Sequence, residues 1–319
     1  MKKILKRTGI IFISLTATIV LLILISYVNH RIQLKREKNL YVSIGQQVEV
    51  NGHKMNIYTE GKGEITLVFM SGGGTCSPVL DFKSLYSLLS DEYKIVVVEK
   101  AGYGFSDDSN VARDIDTVLS ETRQALSLAG ITGPFVLCPH SMSGIEALYW
   151  AQQYPKEVTA IVGLDMSVPE SYNNYSINML ILKLGAFAAK TGITRWIPGI
   201  AQSDAIKYGT LTANEKKLYK LIFYCRTATV AMLNEAQQIK KSATKVKEKE
   251  IPDIPILMFS SNGQGTGRNE EQWRSYQSDF MQSVNNGKLI RLNCSHYVHD
   301  IEYKKIAEEM KKFLNELQP

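Results

Sequence analysis

Hydrophobic and polar positions alternate along this chain in three distinct rhythms. The first is a single uncharged run, "TGIIFISLTATIVLLILISYV", from Thr8 to Val28. Its 21 residues reach the roughly 20 needed to cross a bilayer as a helix, and residues 29–46 after it read as a polar juxtamembrane linker. The second rhythm begins with "VEVNGHKMNIYTEG" (48–61), where apolar and polar residues alternate on either side of Asn51-Gly52, the signal of a hairpin. Short apolar runs then trade places with helical patterns. "TLVFM" (66–70) precedes a helix predicted near 78–90, "KIVVVE" (94–99) one near 111–129, and "PFVLCP" (134–139) one near 143–154. "VTAIVGLD" (158–165) follows; "PILMFSS" (255–261), a helix near 268–284, "KLIRLN" (288–293) and an amphipathic helix near 302–317 close the chain. Continuous apolar strands separated by helices predict an α/β fold with a mostly parallel sheet covered on both faces. The opening hairpin adds antiparallel strands at one edge.

The third rhythm is the interval 167–250, helical in pattern, apolar early ("INMLILKLGAFAAK") and basic late ("IKKSATKVKEKE"). An excursion that leaves at one strand end and returns at the next reads as a helical cap over the crevice beyond the strands' carboxyl ends. The predicted organisation is a basic flank (1–7), a transmembrane anchor (8–28), a linker (29–46), a core (47–166 and 251–319) and a cap (167–250). At 319 residues the chain is long enough for one large core. The late lysines of the cap, interleaved with Glu248 and Glu250, read as a solvated helix face.

Charge changes little in this picture once it is located. The net charge is +6. Lys2, Lys3, Lys6, Arg7, Arg31, Lys35, Arg36 and Lys38 against Glu37 give residues 1–40 a net +7, so residues 41–319 carry −1. No basic nucleic-acid footprint remains in the folded part. A cleaved signal peptide has a shorter apolar core and a small-residue cleavage site, and "SYVNHR" supplies none, so an uncleaved anchor is expected. Four basic residues on each side leave the positive-inside rule almost balanced; the expectation is a catalytic part outside the cytoplasm, the commoner outcome for such an N-terminal anchor. Cys76, Cys138, Cys225 and Cys294 have no C-x-x-C spacing, which argues against a zinc site or a disulfide framework.

The candidate chemistry falls at strand ends. In "CPHSMSG" (138–144), Ser141 lies between an apolar strand and a helix, and two readings compete. Serine is a favoured helix N-cap; it is also a nucleophile when a base removes its proton from a sharp turn. Small neighbours help such a turn, and Ser143 and Gly144 supply them, whereas Pro139 stands where G-x-S-x-G has glycine. "SGGGTCSP" (71–78) follows the strand 66–70, and its glycines let backbone amides approach a ligand. The Gly73 amide (or Gly74), with that of Met142, is the candidate oxyanion site; a phosphate loop would end in Gly-Lys-Ser/Thr, and a plain glycine turn remains the bland alternative. "NCSHYVHD" (293–300) offers His296 as base, with His299 read as a packing or helix-cap residue. The two histidines lack a third ligand cluster for a metal, and no metal or cofactor is expected.

The acid that orients the histidine usually follows the penultimate strand, where "SSNGQGTG" (260–267) has no carboxylate. Glu270 and Glu271 come later, within a predicted helix. One strand earlier, "GLDMSVP" puts Asp165 at the end of the strand next to that of Ser141, and Asp165 is therefore the candidate acid.

The order Ser…Asp…His after a glycine-rich loop resembles the α/β-hydrolase superfamily. "EKAGYGFSDD" (99–108) resembles its D-R-x-G-x-G-x-S turn with Glu99-Lys100 in place of Asp-Arg. "SHYVHDIE" resembles its G-H-x-x-H-x-E element with Ser295 for glycine, and "GLDMSVP" resembles the acid-bearing segment of pancreatic-type lipases. The similarity covers about residues 46–317 and implies an eight-stranded sheet, Ser141 as nucleophile, His296 as base and Gly73 with Met142 as oxyanion hole. It departs at Pro139 and Ser143, at Ser71 where histidine is common, and at the empty second acid loop. The expected function is a membrane-anchored serine hydrolase acting on a small, lipophilic ester. A proline-releasing aminopeptidase, with Glu170, Glu215 or Glu235 holding the substrate ammonium, is the related reading, as is an acyltransferase. A non-catalytic ligand-binding protein on the same scaffold is the reading from another class.

Overall fold

The sheet is assembled in the order β1-β2-β4-β3-β5-β6-β7-β8 in the computed structural model, which describes residues 2–317. β1 (Gln46–Val50) and β2 (His53–Glu60) form the expected hairpin. Its turn takes Asn51 and Gly52 to φ of 51° and 81°, the left-handed pair that matches the twist of the flanking strands. β2 pairs antiparallel with β4 (Lys94–Glu99), and every later pairing is parallel. β3 (Thr66–Met70), β5 (Phe135–Pro139) and β7 (Ile256–Ser260) are buried at every position, with β6 (Val158–Leu164) between the last two and β8 (Gly287–Arg291) at the exposed edge.

Burial on both faces is why these strands read as continuous apolar runs, and the two-residue period decides which core each side chain enters. Val68, Val96, Leu137 and Met258 point to one face. It is covered by α4 (Ile115–Leu128), α5 (Ser143–Gln153) and α10 (Glu270–Gln282). Phe69, Val97, Cys138 and Phe259 point to the other, beneath α2 (Pro78–Asp81), α3 (Lys83–Tyr86) and α12 (Tyr303–Glu316).

One expectation is corrected here, and one segment gains a conformation. The helix predicted over 78–90 is broken into α2 and α3 at Phe82, which is fully buried and packs its ring 5.2 Å from that of Phe69. The polar segment 29–46, expected as a juxtamembrane linker, is helical as far as Leu40. α1 runs unbroken from Lys2 to Glu37, because "NHRIQLKRE" contains neither glycine nor proline and because its last turn is tied to the cap. Arg195 grips Glu37 through two bonds of 3.0 and 2.7 Å. α1 is long and apolar enough to cross a membrane, and its residues from Ile4 to Val28 are almost entirely exposed.

Between β6 and β7 the chain forms α6 (Met179–Lys190), α7 (Asp204–Lys207), α8 (Ala213–Arg226) and α9 (Val230–Lys247), with short 3-10 turns at Pro169–Tyr172 and Ile193–Trp196. β4 and β5 lie on opposite sides of β3. That reversal opens a crevice beyond the carboxyl ends of β3 and β5, and the helices of 169–247 lie over it.

Candidate active site

The turn after β5 is set by backbone strain and by a clamp. Ser141 has φ of 53°, a left-handed conformation that costs a non-glycine residue on the order of 1 kcal/mol. The His140 amide donates to the Met70 carbonyl (2.9 Å), and the Ser167 amide to the carbonyl of Ser141 (2.8 Å). Ser143 is buried, its hydroxyl within reach of the carbonyls of Met70 (2.6 Å) and His140 (2.8 Å), so this departure from glycine locks the turn to the end of β3. The space that must stay empty lies elsewhere. A Cβ on Gly144 would fall 2.3 Å from the Ser167 carbonyl oxygen, and one on Gly72 would fall 2.7 Å from the Ser141 Cβ.

These constraints lift the Ser141 hydroxyl toward His296, which lies between β8 and α11 (Val298–Ile301). His296 Nε2 is 2.8 Å from Ser141 Oγ, and its Nδ1 is 2.6 Å from Asp165 Oδ2. Asp165 is fully buried after β6, with φ of 50°. Its other oxygen, Oδ1, accepts the Ser261 amide (2.8 Å), the Trp273 indole (2.8 Å) and the Gln277 amide (3.1 Å). Burial alone raises the Asp165 pKa, but the bonds from His296 and Ser261 outweigh it and hold the carboxyl below its ordinary value. The loop after β7 that carries no acid thus serves the acid of β6 through the Ser261 amide. Ser261, Trp273 and Gln277 carry no signal in the sequence, because each reaches Asp165 from about a hundred residues away.

Gly73 and Met142 line the same cavity, and among the described residues neither amide has a hydrogen-bond acceptor. The Gly74 amide instead donates to Tyr103 Oη at 3.4 Å. His140 is fully buried under His296 and donates Nε2–H to its carbonyl oxygen (3.2 Å). Burial, with His296 and His299 nearby, keeps that ring well below its ordinary pKa and therefore neutral. His299 packs against Phe82 and faces Asp81, with Nε2 3.2 Å from Asp81 Oδ2. Asp81, His299 and Asp300 are the described residues grouped closely enough to chelate an ion. Burial and the nearby Asp81 push the Asp300 carboxyl well up, toward its neutral form.

The cavity above Ser141 has a volume of about 560 Å³. Apolar and aromatic side chains dominate its walls, including Tyr172, Ile177, Leu182, Met232 and Leu233, and Arg268 is the charged residue among them. The three cap carboxylates considered for an ammonium are used elsewhere. Glu170 pairs with Lys247 at 3.5 Å, Glu215 with Lys83, and Glu235 with Lys100 while accepting Tyr103 Oη–H at 2.6 Å. None of them lines the cavity.

The Lys100 cluster ties cap to core. Its ammonium lies between Glu235 of α9 and Glu146 of α5 (3.8 Å), and all three side chains are buried. Removing the cation leaves two carboxylates buried together. Lys100→Met is therefore expected to destabilise the chain by about 3–5 kcal/mol, read as a lowered denaturation midpoint in detergent. An unchanged midpoint would show that the carboxylates do not depend on it.

No family model matches the chain. It is 37% identical over 324 residues to the uncharacterized protein YbdG of Bacillus subtilis (strain 168), an alignment that covers 98% of this chain and 99% of that protein. A thermophilic esterase from Thermogutta terrifontis superposes with a TM-score of 0.64 at 14% identity, covering 86% of this chain and all of the other. A Bacillus megaterium epoxide hydrolase superposes with a TM-score of 0.64 at 18% identity, covering 85% of this chain and all of the other.

Proposed function

We propose that this chain, which has the α/β-hydrolase fold, is a membrane-anchored serine hydrolase of carboxylic esters, its catalytic part outside the cytoplasm. The observation that carries this reading is the unbroken hydrogen-bond chain from Asp165 through His296 to Ser141 at the floor of the cavity. Asp165, held ionised, fixes the tautomer with the proton on Nδ1 and leaves Nε2 free to accept. As the Ser141 oxygen attacks the acyl carbonyl, its proton passes to His296 Nε2 and the carbonyl electrons move onto oxygen. The Gly73 and Met142 amides meet that oxyanion. Collapse of the tetrahedral intermediate breaks the ester C–O bond, and the alcohol leaves with the proton from His296. Water then repeats the sequence on the acyl-enzyme, releasing the acid and restoring Ser141.

An ester is favoured over a peptide with a free amino terminus because Glu170, Glu215 and Glu235 are all paired and outside the cavity lining. The apolar walls suit a lipophilic acyl or alkyl group. The length and apolar composition of α1 support the anchor.

The test is reaction of the detergent-solubilised full chain with a fluorophosphonate, followed by intact mass and peptide mapping. One adduct per chain, on the peptide that carries Ser141, is expected. A folded chain that takes up no adduct would overturn the reading and leave the cavity a binding site.

A further inference from the structure

We propose that the cap docks on the surface of the bilayer crossed by α1, so that the cavity takes amphiphilic esters directly from the membrane. The inference rests on the anchor and hydrolase readings and adds the surface that delivers the substrate.

The cap's first helix presents its apolar side outward. Leu180, Ile181, Leu184 and Phe187 recur at helical spacing along α6 and are all exposed, Leu180 at 68%, and only Ala189 of that helix is buried. α6 packs on the turn 193–196, where Trp196 is 61% exposed and is followed by the exposed Ile197 and Ile200. An apolar surface of this kind on a soluble face would invite aggregation; rimmed by polar residues, it marks an interaction site. Here Lys183 and Lys190 are the exposed basic residues of the same helix.

What covers this surface is fixed by where it meets α1. The Trp196 indole donates to Ser26 Oγ at 3.0 Å. Gly192 backs so closely on α1 that a Cβ there would fall 2.3 Å from the His30 Cβ and 3.1 Å from the Ser26 carbonyl oxygen. Ser26 lies two residues inside the end of the uncharged span, roughly 3 Å along a helix axis. Trp196 is thus held at the edge of the hydrocarbon layer, the level that tryptophan favours. Apolar side chains on a surface that continues from this point face the headgroup and upper acyl region, with the lysines free to reach the phosphates.

The cavity opens at the same place. Ile177, Asn178, Ile181 and Leu182, at the start of α6, line the space that ends at Ser141. Ile181 does so while 63% exposed on the outer face, so it marks a mouth on the membrane side. An ester whose alkyl chain stays in the bilayer can bring its carbonyl to Ser141 without crossing bulk water.

The experiment places the full chain in phosphatidylcholine–phosphatidylglycerol vesicles, with or without lipids brominated high on the acyl chain. Trp150 and Trp273 are buried inside the protein, so a bromine-sensitive component reports Trp196. Quenching in the wild type that disappears in Trp196→Phe is the expected result. Emission insensitive to bromine would overturn the proposal and point to another protein surface as the cover. A second arm uses L184E/F187E, two positions outside the cavity lining. Their hydrolysis of a long-chain ester carried in the vesicles should fall at least about tenfold, because two apolar side chains leave the lipid. Hydrolysis of a short soluble ester, and fluorophosphonate labelling, should stay within about twofold, since Ser141 is untouched. Equal rates on the vesicle-borne ester in wild type and variant would overturn the proposal. If the wild type cleaves neither ester, the hydrolase reading falls while the quenching still decides the surface.

Discussion

Ester hydrolysis by Ser141→Ala is expected to fall by about 10⁴–10⁶-fold in kcat/KM, because residues that act as one unit fail together when the nucleophile is removed. The fold should survive. The Ser141 hydroxyl makes its one hydrogen bond to His296, and the turn is held instead by the His140 and Ser167 amides and the Ser143 hydroxyl. Alanine keeps the left-handed strain at φ of 53°, whereas glycine relieves it. Ser141→Gly should therefore be as inactive as Ser141→Ala yet more stable by about 1 kcal/mol. Turnover of a soluble ester and thermal unfolding of the three proteins check both halves. Retention of more than about a hundredth of the activity in either variant would remove Ser141 from the chemistry.

How much of this was legible follows from which interactions leave a periodic trace. β3, β5 and β7 were read as continuous apolar runs because both of their faces are buried, and Asn51-Gly52 marked the hairpin because few other pairs tolerate two positive φ angles. The run of α1 beyond the anchor expected over 8–28 left no trace, since polarity after Val28 signals the end of a bilayer span but not the end of a helix. Its continuation depends on Arg195 and Glu37, 158 residues apart. The helix expected over 78–90 failed for a similar reason. Its apolar spacing is real, but Phe82 must reach the sheet, and the chain bends to let it.

The same division runs through the site. Ser141, Asp165 and His296 were nominated by their places at strand ends, which the parallel topology brings to one side of the sheet. What aligns them was silent: Ser261, Trp273 and Gln277 reach Asp165 from 96 to 112 residues away. The elbow shows how a local rule misplaces its own cause. Small residues are expected two positions either side of the serine, where Pro139 and Ser143 stand, but the crowded points are Gly72 and Gly144. Lys100, which occupies an arginine position in the resemblance, finds its partner in Glu235 of the cap, a contact no pattern within 99–108 encodes.

The set of donors around Asp165 makes its replacement informative beyond simple loss. In Asp165→Asn the three donors that converge on Oδ1 (Ser261 amide, Trp273 indole and Gln277 amide) require an acceptor, so the asparagine carbonyl must take that place. Its NH₂ group is then turned toward His296 Nδ1, where the carboxylate now accepts. Two donors cannot face each other, so His296 must shift its proton to Nε2. That nitrogen, 2.8 Å from Ser141 Oγ, becomes a donor and no longer removes the serine's proton. A fall in kcat of about 10⁴-fold is expected with KM nearly unchanged, because the wrong tautomer blocks the chemical step and not binding. Stability should change little, since all three donors on Oδ1 stay satisfied. Asp165→Ala gives the contrasting outcome: those donors lose their acceptor in a fully buried site, at about 1–3 kcal/mol for each group left unmet, so activity and fold should weaken together. Steady-state kinetics and unfolding midpoints of the two variants separate these cases. An Asp165→Asn protein that keeps its kcat would show that His296 takes its orientation from elsewhere, and the role of Asp165 in fixing the histidine tautomer would have to be abandoned.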